Sequence, residues 1–468
     1  MRWRIPVLIL AVTAGAQEQD IQKTERLRLA REGLEARLEL GDTLRLQGDL
    51  KGAMEAYREA TRRFREALDL LAPREVPAGE VVGTGGLGGA DRLRARRDLL
   101  DGGGSGHTEK AVALGLKWLA AHQDVDADGR WDADGFMRHD PQDDRCTGAG
   151  SPRYDVGVTG LALLAFLGAG YTDRGSRQLN PYAGNVRMGL RFLMVSQDDT
   201  GCFGPRASQH FIYSHAIATL ALCEAHWMTR NPRYRAPAEA GLKYLMRARN
   251  PYMAWRYGAR SGENDTSVTG WAVMALKSGK YAGLAVDPDA FTGARQWIDK
   301  ATNPNTGQVG YNYPGGSVAR PEGMVDRFPA EKSQAMTASG LMTRLLSGEP
   351  PTSEIVAKGA ALCLKQPPRW DPTDGSIDMY YWYWGTLAMF QVGGDPWGRW
   401  NEALKEAVVK HQHLEGSGSR TGSWDPAGPW GTQDGGRVYS TALMTLCMEV
   451  YYRYDRVHGA PAGPAKAR

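Results

Sequence analysis

The stretch that decides the fold is "LGLKWLAAHQDVDADGRW", Leu114 to Trp131, in which a helical segment is followed by a Gln and by a glycine turn that ends in an aromatic residue. The same order recurs in "MGLRFLMVSQDDTGCFG", Met188 to Gly204. Four further copies, in which another polar residue can replace the Gln, read "AGLKYLMRARNPYMAWRYG", "GARQWIDKATNPNTGQVGY", "KGAALCLKQPPRWDPTDG" and "ALKEAVVKHQHLEGSGSRTGSW". The third of these four is a weaker match. A marker glycine lies in five of the helical segments, at Gly115, Gly189, Gly241, Gly293 and Gly359. Successive markers are 52 to 74 residues apart, which is the range of repeats built from two helices.

Each turn leads into a second segment that is apolar on nearly every side, such as "DVGVTGLALLAFLGAG" and "NDTSVTGWAVMALK". A helix of that kind must be surrounded by protein. The first segments are amphipathic: in the first copy Val112, Leu116 and Leu119 share one face, opposite charged residues. The sequence therefore predicts an all-α fold over residues 108–455, a six-hairpin α/α toroid (an α6/α6 barrel) with six outer and six inner helices.

The Gly–aromatic–Gln–Gly–Trp pattern resembles the QW repeat of the squalene cyclase and protein prenyltransferase superfamily, whose members are terpenoid cyclase-like toroids. The best matches pair Gln123 with Trp131, Gln197 with Phe203 and Gln412 with Trp424. The resemblance covers about 350 residues and is closest to exported members of unestablished activity. It implies that the Gln and the aromatic residue connect the end of an outer helix to the start of an inner one.

The family's catalytic motifs are incomplete here. The stretch "GENDTSVT" keeps Asp265 and Thr266 of the cyclase motif, but Asn264 replaces the proton-donating Asp, and Asn is not an acid. Asp155 is followed by Gly157 where the prenyltransferases have the zinc-binding Cys, although His215 resembles their zinc His. The stretch "TGCFG" around Cys202 lacks the Glu-Gln of the thioester proteins. The resemblance thus implies the fold of this family but none of its known activities, and we expect neither a metal nor another cofactor.

Parallel inner helices would place six N-termini at one rim, where their partial positive charges favour an anion or a carbonyl oxygen. Ser214, Thr266 and Tyr380 begin such helices. The candidate ligand-binding residues of this rim are Asp155, His215, Asp265, Tyr381, Trp382, Trp384 and Tyr439. Each has a structural alternative: the aspartates can be N-terminal caps, His215 a hydrogen-bonded core residue, and the "YYWYW" run core packing rather than a ligand wall.

Asp124, Asp126, Asp128 and Gly129 match the first half of an EF-hand calcium loop. Gly135 stands where such a loop needs a bidentate Glu. Two sister turns, "SQDDTGCFG" and "GSGSRTGSW", keep the glycine and the aromatic residue without this acidic triplet. The sequence therefore favours a solvated turn, with a calcium site as the alternative.

The N-terminal part carries separate signals. Residues 1–16 read as an export signal with an A-x-A cleavage site, which predicts a periplasmic or extracellular protein. Residues 22–71 resemble one tetratricopeptide repeat. A single repeat cannot bury both of its faces, so this segment docks elsewhere, for example on a protein partner, or dimerises, or is a plain helical hairpin. A glycine-rich linker, 72–107, follows, and residues 456–468 form a flexible tail.

Composition narrows the classes of partner. The 57 basic and 53 acidic residues give a net charge of +4, too balanced for a nucleic-acid-binding protein. No apolar run is long enough for a transmembrane helix. Of five cysteines, Cys223, Cys363 and Cys447 lie in apolar helical runs and are expected to be free thiols. Cys146 and Cys202 lie in turns and either pair or stay reduced.

Three functions remain open from the sequence. The first is a non-catalytic binding or scaffolding toroid whose aromatic cavity takes a hydrophobic or carbohydrate small molecule. The second is an enzyme on terpenoid or prenyl substrates with non-standard residues. The third is a polysaccharide-acting enzyme that uses paired carboxylates such as Asp155 and Asp265.

Overall fold

The computed structural model describes residues 103–453, apart from 176–179, 207 and 209, and scattered residues between 40 and 59. The chain divides into two compact units, Met1–Glu80 and Val81–Arg468. In the first unit, the described residues at 43–44, 51–52 and 55–56 are helical. The predicted export signal, the linker up to residue 102, the tail and most of the predicted hairpin lie outside the described residues.

Twelve helices of the second unit alternate between an outer and an inner layer. The outer helices are α1 (Gly106–Ala121), α3 (Ala183–Val195), α5 (Pro232–Ala248), α7 (Pro288–Ala301), α9 (Glu354–Lys365) and α11 (Gly394–Val409). The inner helices are α2 (Asp155–Gly168), α4 (Phe211–Thr229), α6 (Thr266–Tyr281), α8 (Ala335–Leu346), α10 (Met379–Val392) and α12 (Gly436–Met448). A final turn, Val450–Arg453, follows α12.

The inner helices form a closed ring. Each of them packs against the next, from α2 through to α12, and α12 packs back against α2. Each outer helix covers the inner helix that precedes it, and α1 covers α12. The inner helices are buried almost throughout, as their apolar sequences predict. The predicted all-α toroid of six hairpins is confirmed.

The turn glutamines join neighbouring repeats. The Gln123 side-chain amide donates to the carbonyl of Gly129 in its own turn, at 2.7 Å, and to that of Asn185 in α3, at 3.0 Å. Gln197 links its turn to Pro237 of α5 in the same way. Gln412 donates to Ala111 of α1, so the last repeat closes onto the first. The glutamines thus connect each turn to the next outer helix rather than to the start of the inner helix.

The turn glycine is required by a close approach between repeats. Gly129 has a φ of +88°, and a Cβ there would lie 2.7 Å from the carbonyl oxygen of Met188 in α3. Gly201 and Gly422 have the same conformation and the same proximity to the next outer helix. A side chain would need both an unfavourable backbone and a displaced helix, so this element of the repeat is steric in origin.

The toroid begins slightly before residue 108. Ser105 and Thr108 form a reciprocal capping box at the start of α1. The carbonyl of Gly103 accepts a hydrogen bond from Asn401 of α11, at 3.0 Å. The end of the predicted glycine-rich linker is therefore ordered against the first and last outer helices. Among the helices described, none combines the length and apolarity needed to cross a membrane.

Candidate functional site

A cavity of about 130 Å³ lies at the axis of the ring, among the first turns of the inner helices. All six inner helices contribute to it, which places their N-terminal ends at one rim as the sequence predicts. The wall is dominated by aromatic side chains: Tyr154, Tyr213, Tyr257, Trp271, Tyr311, Tyr380, Trp430 and Tyr439. The apolar floor includes Leu161, Ile217 and Met336, which are buried. The mouth includes Tyr154, His210 and Trp430, which are partly exposed.

One side of the mouth carries an acid–base cluster. The Tyr154 hydroxyl lies 3.2 Å from Nδ1 of His210 and also interacts with the carboxyl of Asp434. Burial raises the pKa of Asp434, and its interaction with Tyr154 only partly opposes this. Burial lowers the pKa of His210 and raises that of Tyr154 to about 12. At neutral pH the histidine is therefore uncharged, and the carboxyl is easier to protonate than an exposed aspartate.

A second polar chain runs from the wall into the protein. The hydroxyls of Tyr257 and Tyr311 hydrogen-bond to each other, and that of Tyr311 donates to Oδ2 of Asp265 at 3.4 Å. Asp265 is fully buried, which raises its pKa to about 7, while the backbone amide of Val268 partly stabilises the carboxylate. A buried carboxyl thus contacts the cavity only through two phenols.

Most polar groups in the deep part of the cavity wall have hydrogen-bond partners within the protein. The Tyr380 hydroxyl bonds to Ser267 at 2.6 Å and accepts from the indole of Trp271 at 3.1 Å. Arg320 is held by the Asp378 carboxylate at 3.1 Å and by the Phe328 carbonyl at 2.8 Å. The exception is Tyr439: its hydroxyl oxygen is buried, and no described residue hydrogen-bonds to it. A buried hydroxyl without a partner is costly, so a ligand group that reached this hydroxyl would gain a hydrogen bond.

The predicted rim residues fall into two groups. Tyr439 lines the cavity, as do Ser214 and Tyr380. The cavity wall does not include the other six predicted residues, which are Asp155, His215, Asp265, Tyr381, Trp382 and Trp384. Asp265 is the N-cap of α6 and accepts a hydrogen bond from the backbone amide of Val268 at 2.7 Å. This is the capping role that the sequence indicates as the alternative to ligand binding.

His215 occupies a structural position in the core. Its Nδ1 accepts from the backbone of Phe203, and its Nε2 faces the Gly241 carbonyl at 3.1 Å. Burial lowers its pKa to about 3, so the ring is neutral. The side chains of the aromatic run lie on different faces of α10. The Tyr381 hydroxyl donates to the Cys363 carbonyl. Trp382 packs near Trp370, and Trp384 packs against Trp271.

Asp155 belongs to an acidic cluster outside the cavity. One of its carboxylate oxygens accepts from Ala133 at 3.0 Å, and the other lies 3.4 Å from Arg130. Burial raises its pKa to about 7. Its carboxylate groups with those of Asp132 and Asp134, and Arg130 also pairs with Asp132 at 3.1 Å. The arginine supplies the positive charge that this cluster needs.

The three aspartates of the calcium-like loop do not share one centre. Asp124 is buried and pairs with Arg138 and with His139, the latter at 2.8 Å. Asp126 and Asp128 are exposed, and Asp128 accepts from the backbone of Arg130 at 3.1 Å. The turn is held by protein groups, which supports the solvated-turn interpretation.

All five cysteines are buried free thiols. The expectation for Cys223, Cys363 and Cys447 is confirmed. Cys146 and Cys202 also remain unpaired.

Among the cavity residues that were not singled out from the sequence are Tyr154, Tyr257, Tyr311, Trp430 and Asp434. They lie on the segments between turns and inner helices. Tyr154 directly precedes Asp155, and Tyr257 and Tyr311 each follow a turn aromatic or Val by two residues. A tyrosine recurring at this place in successive repeats was a usable signal. Trp430 precedes a π-helical turn, Gly431–Gly435, and Asp434 lies within it; no repeat position predicts this turn.

No protein-family model and no curated protein sequence matches this chain. Solved structures with a similar course of the chain include an inactive α-1,6-mannanase variant of a Salegentibacter species in complex with α-1,6-mannotriose, at 11% identity and a TM-score of 0.49, covering 74% of this chain and 99% of that one. A cellobiose 2-epimerase from Bacillus thermoamylovorans has 14% identity and a TM-score of 0.47, with 77% and 99% covered. The unsaturated glucuronyl hydrolase of a Bacillus species has 12% identity and a TM-score of 0.49, with 74% and 96% covered. At these sequence identities and TM-scores, the activities of those proteins cannot be transferred to this chain.

Proposed function

We propose that the axial cavity binds a carbohydrate ring. The observation that carries this proposal is the wall of six tyrosines and two tryptophans, which combines flat apolar faces with phenol hydroxyls. A sugar ring offers C–H faces for stacking and hydroxyls for hydrogen bonds, so it matches both kinds of surface. The unpaired Tyr439 hydroxyl supports a ligand with polar substituents, because an apolar ligand would leave that group unsatisfied.

The size of the cavity supports a single ring. An apolar cavity of about 150 Å³ in another protein holds one benzene molecule, and the volume here is about 130 Å³. One monosaccharide unit can enter, with any further units extending past the partly exposed mouth. A folded polyisoprenoid is too large for this space. The terpenoid alternative is therefore less favoured than a carbohydrate ligand.

A second candidate function is proton transfer to the bound sugar. It is favoured by Asp434, whose pKa burial raises and which contacts Tyr154 at the mouth. A carboxyl of this kind can act as a general acid. Hydrolysis by the usual pair of carboxylates is not supported, because Asp434 is the one carboxylate among the described cavity residues. The groups for this chemistry would be Asp434, Tyr154 and His210 rather than Asp155 and Asp265.

Two sequence interpretations stand beside this proposal. The QW-type relationship is supported by the turn glutamines and by the glycines at the repeat contacts, and it concerns the framework only. Export is supported by the N-terminal sequence of residues 1–16. An exported protein would meet extracellular glycans rather than intracellular prenyl donors.

Calorimetric titration with a panel of monosaccharides and oligosaccharides tests the proposal. Tyr439→Phe should weaken binding about tenfold, the value of one hydrogen bond of roughly 1.4 kcal/mol. Tyr313→Phe, at an exposed tyrosine outside the cavity, should bind like the wild type. Absence of binding by folded wild-type protein at millimolar sugar would refute the proposal. Asp434→Asn separates the two functions, since it should abolish any turnover while binding persists.

A further inference from the structure

A group of metal-ligating side chains lies away from the cavity, beside the first repeat's turn. Nε2 of His122 lies 2.8 Å from Oδ1 of Asp140 and 4.0 Å from Sγ of Cys146. The three side chains are buried, with exposed fractions between 3% and 5% for the His122 and Asp140 side chains. One donor atom from each lies within 4.8 Å of the others. We infer that His122, Asp140 and Cys146 form a binding site for one divalent transition-metal ion, with Zn²⁺ the best match.

The orientation of His122 supports coordination. Its Nδ1 lies 2.7 Å from the Trp118 carbonyl, a contact that requires a proton on Nδ1. The lone pair of Nε2 then faces a carboxylate oxygen, so a cation must lie on or between these two groups. A ligating histidine usually donates its other N–H to a backbone carbonyl in this way. A proton on Nε2 would satisfy His122 and Asp140, but it gives no role to the nearby sulfur.

The donor set and the distances fit zinc. Imidazole nitrogen, carboxylate oxygen and thiolate sulfur are the three ligand types that Zn²⁺ takes in proteins. Tetrahedral coordination at the usual bond lengths places ligand atoms about 3.3–3.6 Å apart. The observed separations of 2.8 and 4.0 Å lie on either side of that range, so small side-chain shifts suffice. Three protein ligands leave one position for water.

The surroundings hold the ligands in place. The backbone amide of Cys146 donates to Oδ2 of Asp140 at 2.8 Å, and the His122 ring stacks on Trp118 with centroids 4.0 Å apart. The chain after Cys146 reaches the cavity mouth within five residues, where Ser151 donates to the backbone carbonyl of Asp434 at 2.7 Å. A metal ion would therefore brace the segment that supports this edge of the cavity.

Co²⁺ spectroscopy of the full chain tests the site without any use of a sugar. Wild-type protein should bind one equivalent of Co²⁺ and show sulfur-to-cobalt charge-transfer absorption that Zn²⁺ abolishes. Cys146→Ser should remove this absorption. Cys202→Ser is the control, because Cys202 is a buried cysteine in the turn of the second repeat and does not belong to this cluster, and it should retain the absorption. No charge transfer in folded wild-type protein would mean a hydrogen-bonded cluster only and would overturn the inference.

A second measurement covers the case in which Cys146→Ser does not fold. X-ray absorption of the zinc-loaded wild type should show one sulfur at about 2.3 Å and nitrogen or oxygen ligands at about 2.0–2.2 Å. Asp140→Asn should weaken Zn²⁺ binding at least tenfold while the sulfur remains in the metal's shell. A sulfur-free shell, or loss of charge transfer in Cys202→Ser, would contradict the assignment.

Discussion

The backbone amide of Phe203 donates a hydrogen bond to Nδ1 of His215 over 3.1 Å. In four sister repeats a threonine hydroxyl occupies the same place and accepts from the corresponding turn residue; these are Thr159, Thr269, Thr337 and Thr441. His215 is therefore the second repeat's version of a link between a turn and an inner helix. The ring also packs against Phe203 and Tyr244, which a threonine could not reproduce.

This equivalence predicts that His215→Thr is less destabilising than His215→Ala. Threonine keeps the acceptor for the Phe203 amide, whereas alanine leaves that buried donor unsatisfied, and the difference should be about 1 kcal/mol. Urea unfolding of both variants measures it. Both should bind sugar like the wild type once folded. A loss of binding in the folded threonine variant would instead place His215 in the ligand site.

The turn glycine gives a second prediction with a matched control. Gly129→Ala should destabilise the protein more than Gly262→Ala. Both glycines have a positive φ, +88° and +81°, but a Cβ at Gly262 meets nothing within 4 Å. The control therefore measures the backbone term alone, about 1–2 kcal/mol, and Gly129→Ala should cost a further ~1–3 kcal/mol for displacing α3. Equal unfolding free energies would show that the Met188 contact relaxes freely.

The framework could be predicted from the sequence because its requirements are periodic. The glycine that approaches Met188 recurs as Gly201 and Gly422, and the Gln123 amide recurs as Gln197 and Gln412, for the same steric and hydrogen-bonding reasons. The apolar inner helices recur in all six repeats. The wall of the cavity has no such period. Trp430 and Asp434 enter it through an irregular segment, whose direction depends on the π-helical turn rather than on a pattern of residue types.

The aromatic run shows a second limit of prediction from the sequence. Tyr380 to Trp384 lie in a helix that is buried on every side, so hydrophobicity alone does not distinguish the face toward the axis from the face toward the outer layer. Only contacts decide that Tyr380 lines the cavity and that Tyr381 packs on Trp400. The cluster of His122, Asp140 and Cys146 could not be predicted from the sequence either, because His122 and Cys146 are 24 positions apart.

The different surroundings of Trp382 and Tyr439 predict opposite phenotypes. Trp382→Ala should cost about 3–5 kcal/mol of stability, because the ring is 1% exposed in the core, and the folded fraction should still bind sugar. Tyr439→Phe should leave the unfolding free energy within about 0.5 kcal/mol of wild type, since its hydroxyl has no protein partner to lose. Thermal melts combined with sugar titration separate the two. A large stability loss in Tyr439→Phe would contradict the role given to its hydroxyl.

The buried carboxyl of Asp265 predicts how stability depends on pH. Burial raises its pKa in the folded protein to about 7, above the ordinary aspartate value of 3.8. The folded state therefore holds a proton that the unfolded chain has released, and unfolding releases a proton between about pH 4 and pH 7. The stability that Asp265 contributes is present below pH 4 and is lost as the pH rises to 7.

Asp265→Asn should remove this dependence while keeping the N-cap, because Asn and Asp cap helices equally well. The variant should match the wild type near pH 4 and exceed it above pH 7, by up to about 4 kcal/mol for a shift of this size. Asp155 titrates over the same range in both proteins, so the difference between the two curves isolates Asp265. Asp126→Asn, at an exposed carboxylate, should give no comparable divergence. Denaturant unfolding from pH 4 to 8 provides the curves, and a difference that shrinks as the pH rises would show that the Asp265 carboxylate is stabilised in the fold rather than disfavoured by burial.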